Sequence, residues 1–420
     1  MESETRGIRW QSRNRRKVEN LMHLVDREAL MQAHAKQPSG KASGIDGVTK
    51  EEYGRELGRN LCDLWERMKT FRYRPQSVRR AYIPKTDGRL RPLGIPAYED
   101  KLVQSVMADL LTEVYEPRFR NCSYGYRPGR SAHQVVRYVN ERIQRSQVNY
   151  VVEADIKGFF DNVDHEKLMM CLSHDIADKN FLRYIVRFLK AGVMEEGKML
   201  ESERGTPQGG LISPILANVY LHYLLDMWFE DRVRPRLKGE AYYVRYADDY
   251  LMMFQYEDEA RAVMEAMKTQ LSKGGLEVAE EKTRLLPMGR RTGTRESFDF
   301  LGFTFYNTKS RSGRRRLGVR TSQKKLKAKR QDVKGRLKKK RHQPIAETMK
   351  WIASVLRGHG NYYGVNGNFK SLQKFWNYVY WTTYRMLRRR SQRSKLTWEK
   401  YNKIWQSYVP RPRITVNIWY

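Results

Sequence analysis

The sequence has 420 residues, with 81 Lys or Arg against 47 Asp or Glu and a formal net charge of +34. Hydrophobic residues make up 40% of the chain and aromatic residues 12%, whereas only 14 residues are Pro. This composition excludes a disordered, collagen-like or mucin-like protein. The length predicts two or three folded domains.

The first 306 residues alternate strand-like and helix-like segments. In chain order they predict a hairpin around Asp87-Gly88, a strand over 150–156, a mostly helical region over 166–189, a buried helix within 211–229 and two strands over 242–254. This mixture of element types predicts an α+β fold, with further helices in the C-terminal region.

Acidic residues occur where three of these strands end. Asp248 and Asp249 form the hinge between the last two strands, and Asp155 ends the strand over 150–156. Adjacent carboxylates repel each other unless a cation neutralises them, although Asp is also common in turns because it bonds to the local backbone. Three carboxylates on neighbouring strand ends are what two Mg²⁺ ions need for in-line phosphoryl transfer, so the pattern predicts such a site.

Positive charge is concentrated in the C-terminal part of the chain. Residues 307–420 hold 31 basic and 3 acidic residues, a net charge of +28, which leaves +6 for residues 1–306. Apolar residues recur every three to four positions over 351–386, a spacing typical of helices with a buried face and not of a disordered basic tail. A folded basic module predicts a polyanionic partner.

The sequence shows no sign of secretion or of a membrane span. Its three cysteines form no Cys-x-x-Cys pair, which speaks against a disulfide framework or a zinc site. The basic start has no apolar stretch behind it, and the most apolar segment, 211–229, contains several polar residues. We therefore expect a cytoplasmic protein.

Seven ordered blocks resemble those of group II intron reverse transcriptases. Tyr246-Ala247-Asp248-Asp249 resembles the active-site box, and Asp155 with Phe159-Phe160 resembles the first metal-binding box. The remaining blocks lie at 43–48, 123–128, 205–214, 280–283 and 300–303. A later segment, 356–364, resembles the family's maturase domain. A single Tyr-x-Asp-Asp motif would be weak, but an ordered set of this length is specific to the family.

The resemblance implies roles for individual residues. The catalytic residues would be Asp155, Asp248, Asp249 and Lys282, with Lys282 protonating the leaving pyrophosphate. Two Mg²⁺ ions would be held by Asp155, Ile156, Asp248 and Asp249. The incoming nucleotide would be bound by Arg79, Lys85, Arg91, Phe160 and Gln208. The primer grip would be Phe300, Leu301 and Gly302.

Three of these assignments carry alternatives from the residues alone, and for Lys282 the alternative is an ordinary surface lysine. Phe160 would be the steric gate against a ribose 2′-hydroxyl, so the product would be DNA, whereas Phe159 is expected in the core. Arg79, Lys85 and Arg91 lie at six-residue intervals and suit a phosphate chain, but an ordinary solvated hairpin has the same pattern.

The resemblance also implies a right-hand polymerase and its partners. An N-terminal extension would cover 1–65, fingers and palm 66–306, and a basic helical thumb or maturase domain 307–420. The partners would be an RNA template, expected to be group II intron RNA, a DNA primer or target, and deoxynucleotides; the oligomeric state stays open. The RNA-binding candidates are Lys338, Lys339, Lys340, Arg341, Arg388, Arg389 and Arg390.

Three functions remain open at this point. The first is a reverse transcriptase encoded by a group II intron, of the type without an endonuclease, that assists splicing of the intron RNA and copies it into DNA. The second is a domesticated relative in DNA repair or phage defence. The third is an RNA-binding splicing factor with a dispensable polymerase, which the three intact carboxylates disfavour.

Overall fold

In the computed structural model the described residues are 2–84, 90–195, 198–200, 204–205, 209–289, 296–309, 313, 315–390 and 396–419. Their helices are α1 (Glu2–Arg13), α2 (Arg27–Lys36), α3 (Lys50–Arg55), α4 (Leu57–Lys69), α5 (Tyr98–Tyr115), α6 (Ala132–Arg145), α7 (Phe159–Asn162), α8 (His165–Asp175), α9 (Lys179–Leu189), α10 (Ser213–Leu221), α11 (Glu257–Lys273), α12 (Gln323–Lys339), α13 (Ile345–Tyr363), α14 (Phe369–Arg388) and α15 (Trp398–Tyr408).

The strands of the described residues form three sheets. Their bounds are β1 (Val78–Pro84), β2 (Leu90–Ile95), β3 (Tyr150–Ala154), β4 (Val193–Glu195), β5 (Lys198–Leu200), β6 (Ala241–Tyr246), β7 (Asp249–Phe254), β8 (Arg284–Pro287), β9 (Ser297–Phe300), β10 (Phe303–Lys309) and β11 (Arg315–Thr321). The sheet orders are β2-β1-β4-β5, β6-β7-β3-β8 and β11-β10-β9.

The sheet β6-β7-β3-β8 brings the acidic strand ends together. Its neighbouring strands are all antiparallel. β7 pairs with β6 through Tyr246 and Asp249, and with β3 through Ala154 and Tyr250. Because the end of β3 lies beside the start of β7, Asp155 and Asp249 meet at one edge of this sheet.

Helix α5 and the helix that begins at Ser213 form the centre of the largest hydrophobic core. Eleven of the 18 residues of α5 are buried, and eight of the nine residues of α10. After Leu221 the helix continues as the wider π-helical turns His222–Asp226 and Trp228–Val233. A helix that is apolar almost all round is expected to be enclosed by protein, and this one carries a few polar groups that the active site uses.

The C-terminal helices form a core of their own and also join the preceding sheets. Val333, Ile352 and Trp405 belong to a cluster within α12–α15. In contrast, Val365 and Ile418 pack with β9–β11 and with α6, and the α6 residue Asn140 donates to the Ile418 carbonyl at 3.1 Å. The sheet β11-β10-β9 therefore connects the basic region to the rest of the chain.

Most of the predicted elements are confirmed, and the position of one turn differs. The basic hairpin, the strand before Asp155, the buried helix and the C-terminal helices are all present. The last hairpin turns at Ala247-Asp248 and not at Asp248-Asp249, since Asp249 already pairs with Tyr246. The division that charge predicts after Tyr306 falls inside β10. Among the described residues, no helix is long and apolar enough to span a membrane.

Alanine substitutions at two glycines of the C-terminal region should change stability in opposite directions. A Cβ at Gly318 in β11 would lie 2.5 Å from the ring of Tyr306 on the paired strand, whereas a Cβ at Gly335 in α12 would meet nothing within 4 Å. We expect Gly318→Ala to lower the free energy of unfolding by about 1–3 kcal/mol through overpacking. Gly335→Ala should raise it by about 0.5–1 kcal/mol because Ala favours the helix.

Denaturant unfolding of both variants and the wild type, followed by circular dichroism, measures these changes. Shifts of the same sign for the two variants would contradict the packing of β10 against β11 described above.

Candidate active site

The acidic hairpin turn has a strained backbone and a close neighbour. Ala247 has φ +58°, a left-handed conformation that a non-glycine residue adopts only at some cost. Gly125 lies against it, because a Cβ there would be 2.3 Å from the Ala247 nitrogen. The block around Gly125, noted in the sequence without a local role, is therefore the support on which the acidic turn rests.

Burial and nearby carboxylates raise the pKa of Asp248 and of Asp249 at the edge of the sheet. Desolvation by the surrounding protein, then the charges of Asp248 and Asp155, raise the pKa of Asp249 to about 7. Desolvation and the charge of Asp155 also raise the pKa of Asp248. Three carboxylates that resist ionising together form a donor set of hard oxygens that suits a divalent cation.

No group of three or more His, Cys, Asp or Glu side chains within the described ranges is arranged to hold a metal ion. Asp155 and Asp249 line a cleft of about 360 Å³ that Lys282 and Arg284 also line. Lys282, at the end of the short 3₁₀ turn Glu280–Lys282, donates a hydrogen bond from its ammonium to the Asp155 carboxylate. A lysine cation thus lies at the carboxylate where the sequence predicted a metal.

A fully buried ion pair supports the acidic turn. Arg245, the residue before Tyr246, donates from Nε and Nη2 to the two carboxylate oxygens of Asp226 at 2.8 and 2.6 Å, and both side chains are 0% exposed. Its Nη1 donates to the carbonyl of Ala247 and to Oδ1 of Asn218, both at 2.9 Å. Burial alone would raise the pKa of Asp226, but the guanidinium outweighs it and lowers the pKa to about 2.

The same network fixes the segment from Cys122 to Gly125, which lies against the acidic turn. Asn218 donates from Nδ2 to the Gly125 carbonyl at 2.7 Å, and the backbone of Arg245 exchanges hydrogen bonds with Cys122 and Tyr124. Sequence analysis missed this network. Its signal was the four-residue spacing of Asn218, His222 and Asp226 within an apolar helix, which places three polar side chains on one face.

Two of the predicted nucleotide-binding residues, Arg79 and Arg91, lie on the paired strands β1 and β2. Arg79 donates from Nε and Nη2 to the Ser43 carbonyl, so part of its donor set is already in use. Arg91 is exposed. Burial raises the pKa of Asp248, and the positive charge of Arg91 offsets part of that rise. Lys85 and Gln208 lie outside the described residues.

Phe159 and Phe160 are buried to different extents. Phe159 is 2% exposed in the main core, as the sequence predicted, whereas Phe160 is only partly buried beside it. The segment that leads to Gln208 starts against Phe160, because a Cβ on Gly205 would be 2.8 Å from the Phe160 carbonyl oxygen. His165 fixes that start through a 2.6 Å hydrogen bond to the Gly205 carbonyl.

The predicted primer grip is a tight turn held by the C-terminal helices. Leu301 and Gly302, between β9 and β10, both have positive φ. Tyr362 donates from its hydroxyl to the Leu301 carbonyl at 2.9 Å, and a Cβ on Gly302 would be 2.8 Å from the Tyr363 hydroxyl. Phe300, at the end of β9, lines the same cleft as Asp155 and Asp249. The two tyrosines were not among the predicted site residues.

The predicted RNA-binding cations differ in exposure. The exposed members are Lys338, Lys339, Arg388 and Arg389, and the partly buried members are Lys340, Arg341 and Arg390. Among the partly buried side chains, Lys340 donates to Gln343 at 3.0 Å, and burial lowers the pKa of Arg390. The exposed members are the ones whose charged groups are most accessible to a partner.

Residues 83–305 match the family model described as reverse transcriptase (RNA-dependent DNA polymerase). Residues 326–405 match the model described as group II intron, maturase-specific domain. Both matches fall on the elements described above: the first contains the acidic turn and its supporting network, and the second contains most of α12–α15.

Curated relatives agree with these matches. The protein YkfC of Escherichia coli is 31% identical over 333 residues, covering 72% of this chain and 86% of YkfC. The group II intron-encoded protein LtrA of Lactococcus lactis is 34% identical over 238 residues, covering 54% of this chain but 39% of LtrA. A 91 kDa protein in the cob intron of Schizosaccharomyces pombe is 34% identical over 220 residues, covering 52% of this chain and 26% of that protein.

The matched models and the relatives identify the chain as an RNA-directed DNA polymerase of the reverse transcriptase family, in the group that carries the group II intron maturase-specific domain.

Proposed function

We propose that the chain is a right-hand polymerase that copies RNA into DNA with two Mg²⁺ ions. In this proposal residues 1–65 are an N-terminal extension, 66–306 form fingers and palm, and 307–420 form the thumb or maturase domain. The observation that carries it is the meeting of Asp155, Asp248 and Asp249 at one sheet edge, where burial and the neighbouring carboxylates raise the pKa of Asp248 and Asp249. Such a cluster gains most from divalent cations.

The residues that would hold the ions are the three carboxylates and the carbonyl of Ile156, which follows Asp155. When bound, the ions would lower the pKa of the primer 3′-hydroxyl and neutralise charge on the phosphates. Arg245, Asp226 and Gly125 keep the acidic turn in place, so that the carboxylates need not reorganise during the reaction. This preorganisation is the contribution of the protein scaffold.

The basic hairpin would bind the triphosphate, and Lys282 would protonate the leaving pyrophosphate. The Lys282 ammonium already lies at Asp155, within the cleft that Asp249 also lines. A cation bound at Asp155 would compete with this contact and release Lys282 to donate its proton to the leaving pyrophosphate. Arg91 is exposed and its charge acts on Asp248, which supports the proposal that Arg79, Lys85 and Arg91 bind the phosphates.

Phe160 and Gln208 would set the sugar and the position of the nucleotide. The partly buried Phe160 leaves its edge available to a ligand, unlike the enclosed Phe159. Phe300, Leu301 and Gly302 would hold the primer end, and Tyr362 fixes the carbonyl of that turn. The tyrosine belongs to α13, so the thumb would set the position of the primer relative to the carboxylates.

The basic helices would bind group II intron RNA, assist its splicing and allow its copying into DNA. The net charge of +28 over 307–420 supports a polyanionic partner, and the maturase-specific match covers 326–405. A cytoplasmic location fits the cysteines, all three of which are free thiols. DNA primer or target and deoxynucleotides complete the proposed set of substrates.

Loss of one catalytic carboxylate should abolish synthesis without unfolding the protein. We expect Asp249→Asn, and separately Asp248→Asn, to reduce single-nucleotide incorporation on a primed RNA template by about 1,000-fold or more. Thermal unfolding should not occur at a lower temperature, because each change removes a repelling charge. The matched control is Asp258→Asn, which removes an exposed carboxylate on α11. Near-normal incorporation by either active-site variant would contradict the proposed site.

Sugar selection should depend on Phe160 and not on Phe159. We expect Phe160→Ala to raise the incorporation of ribonucleotides relative to deoxyribonucleotides by about tenfold or more, since it opens space beside the 2′ position. Phe159→Ala should leave the ratio unchanged while lowering stability by about 3–5 kcal/mol. Competition between the two nucleotide types in primer extension gives the ratio. An unchanged ratio in folded Phe160→Ala would remove Phe160 from the nucleotide site.

A further inference from the structure

Asp299 is a further carboxylate of the catalytic cleft. It precedes Phe300 in β9, it is exposed, and it lines the cleft together with Asp155 and Asp249. It is not among the site residues predicted from the sequence. A carboxylate at this place can either bind a cation or support the primer-grip turn, and the two roles differ in the contacts that they require.

Both oxygens of this carboxylate accept hydrogen bonds from hydroxyl groups. Thr304 donates to Oδ1, and Ser322 donates to Oδ2 at 2.6 Å. The two donors are buried, with exposed fractions of 6% and 2%. Loss of the carboxylate would leave two buried hydroxyls without their acceptor, which is costly. The contacts therefore fix Asp299 in one position and favour the supporting role.

These contacts close the base of the primer-grip turn, residues 300–302. Asp299 and Thr304 lie opposite each other in the register of β9 and β10, on either side of the turn. The backbone N–H of Ser322 also donates to the Gly302 carbonyl at 2.9 Å. One serine thus bonds to the residue before the turn and to the last residue of the turn.

Ser322 contacts Asp299 at a position where serine usually has another role. It is the N-cap of α12, and an N-cap hydroxyl commonly accepts a hydrogen bond from the first turn of its helix. Within α12, all of whose residues the structure describes, no backbone N–H donates to the Ser322 side chain. A position that gives up a usual stabilising contact for a different one is a candidate functional position.

Thr321 continues the connection to the helices that follow. Its backbone N–H donates to Oδ1 of Asn368 at 2.8 Å, and Nδ2 of Asn368 donates to the Thr321 hydroxyl and to the Tyr363 carbonyl, each at 2.8 Å. Asn368 is 0% exposed and lies between α13 and α14. The adjacent residues Thr321 and Ser322 therefore join the primer-grip turn to the connection between these two helices.

We propose that Asp299 is a positioning residue for the primer. Through Ser322 and Thr304 it holds the turn 300–302 at a fixed place beside Asp155 and Asp249. The proposal rests on the proposed polymerase function and adds to the primer grip a residue that acts by hydrogen bonding and not by charge. An amide should therefore replace the carboxylate, because its oxygen accepts from one hydroxyl and its nitrogen donates to the other.

Three variants and a control separate this role from cation binding. Asp299→Ala removes both contacts, Asp299→Asn keeps them, and Ser322→Ala removes one contact but keeps the backbone bond to Gly302. The matched control is Asp258→Ala, which removes an exposed carboxylate on α11. Single-nucleotide incorporation on saturating primer–template gives kcat and the KM for deoxynucleotide over a range of Mg²⁺ concentrations. A fluorescent base analogue at the primer 3′ end reports the placement of that end, and anisotropy of the duplex gives the Kd.

Asp299→Ala should lower kcat by about tenfold or more, because a small displacement of the primer end slows the reaction. The KM for deoxynucleotide, the Kd for primer–template and the Mg²⁺ concentration at half-maximal rate should each stay within about twofold of the wild-type values. The fluorescence of the bound primer end should change. Asp299→Asn should keep at least about a third of the wild-type kcat, and Ser322→Ala should lower kcat by about threefold. Both alanine changes together should lower kcat no further than Asp299→Ala alone, because they remove the same link.

An unchanged kcat in folded Asp299→Ala would overturn the proposal, and so would additive losses in the double variant. A higher Mg²⁺ requirement, with Asp299→Asn as impaired as Asp299→Ala, would contradict it by identifying a cation ligand. If Asp299→Ala does not fold, an unchanged kcat in Ser322→Ala is the contradicting result. A wild type that incorporates no nucleotide, but whose bound primer end differs in fluorescence from that of Asp299→Ala, would count against the polymerase function and support the positioning role.

Discussion

The buried ion pair of Arg245 with Asp226 is the interaction on which the active site depends. Burying two charges is expensive, and the cost is offset only when geometry is good and every remaining donor has a partner. Here the pair is bidentate, and the last guanidinium nitrogen bonds to Asn218 and to the Ala247 carbonyl. The pair thereby connects the central helix, the strand β6 and the catalytic turn in one network.

That network explains how the turn keeps two unfavourable features. Ala247 has a left-handed backbone, and Asp248 and Asp249 hold their charges close to Asp155. Each feature costs free energy, and each suits a site that must receive cations. Tyr362 fixes the Leu301 carbonyl, so under the proposed function the maturase helices and the central helix together would determine where primer and carboxylates meet.

Features that depend on neighbouring residues in the sequence could be predicted, whereas contacts between residues far apart in the sequence could not. Asp155 and the acidic turn were found because each is flanked by its own strand, and the element order followed from local periodicity. Arg245 and Asp226 were missed because a helix-to-strand contact leaves no local pattern, although the polar spacing in the apolar helix hinted at it. The same holds for Asp299, whose hydrogen-bond partner at the start of α12 lies 23 positions further along the chain. Arg79 was predicted from spacing alone, which could not reveal its bond to Ser43.

The central claim is that the buried pair positions the catalytic turn, and it is tested most directly by the maximal rate of single-nucleotide incorporation in Arg245→Lys. Lysine keeps the charge, but its single ammonium nitrogen cannot reproduce the bidentate contact with Asp226 together with the bonds to Asn218 and Ala247. The account predicts that kcat falls by about tenfold or more, while the Kd for primer–template stays within about twofold of the wild-type value and shows that the variant is folded. An unchanged kcat would contradict it, since the turn would then hold its position without the pair.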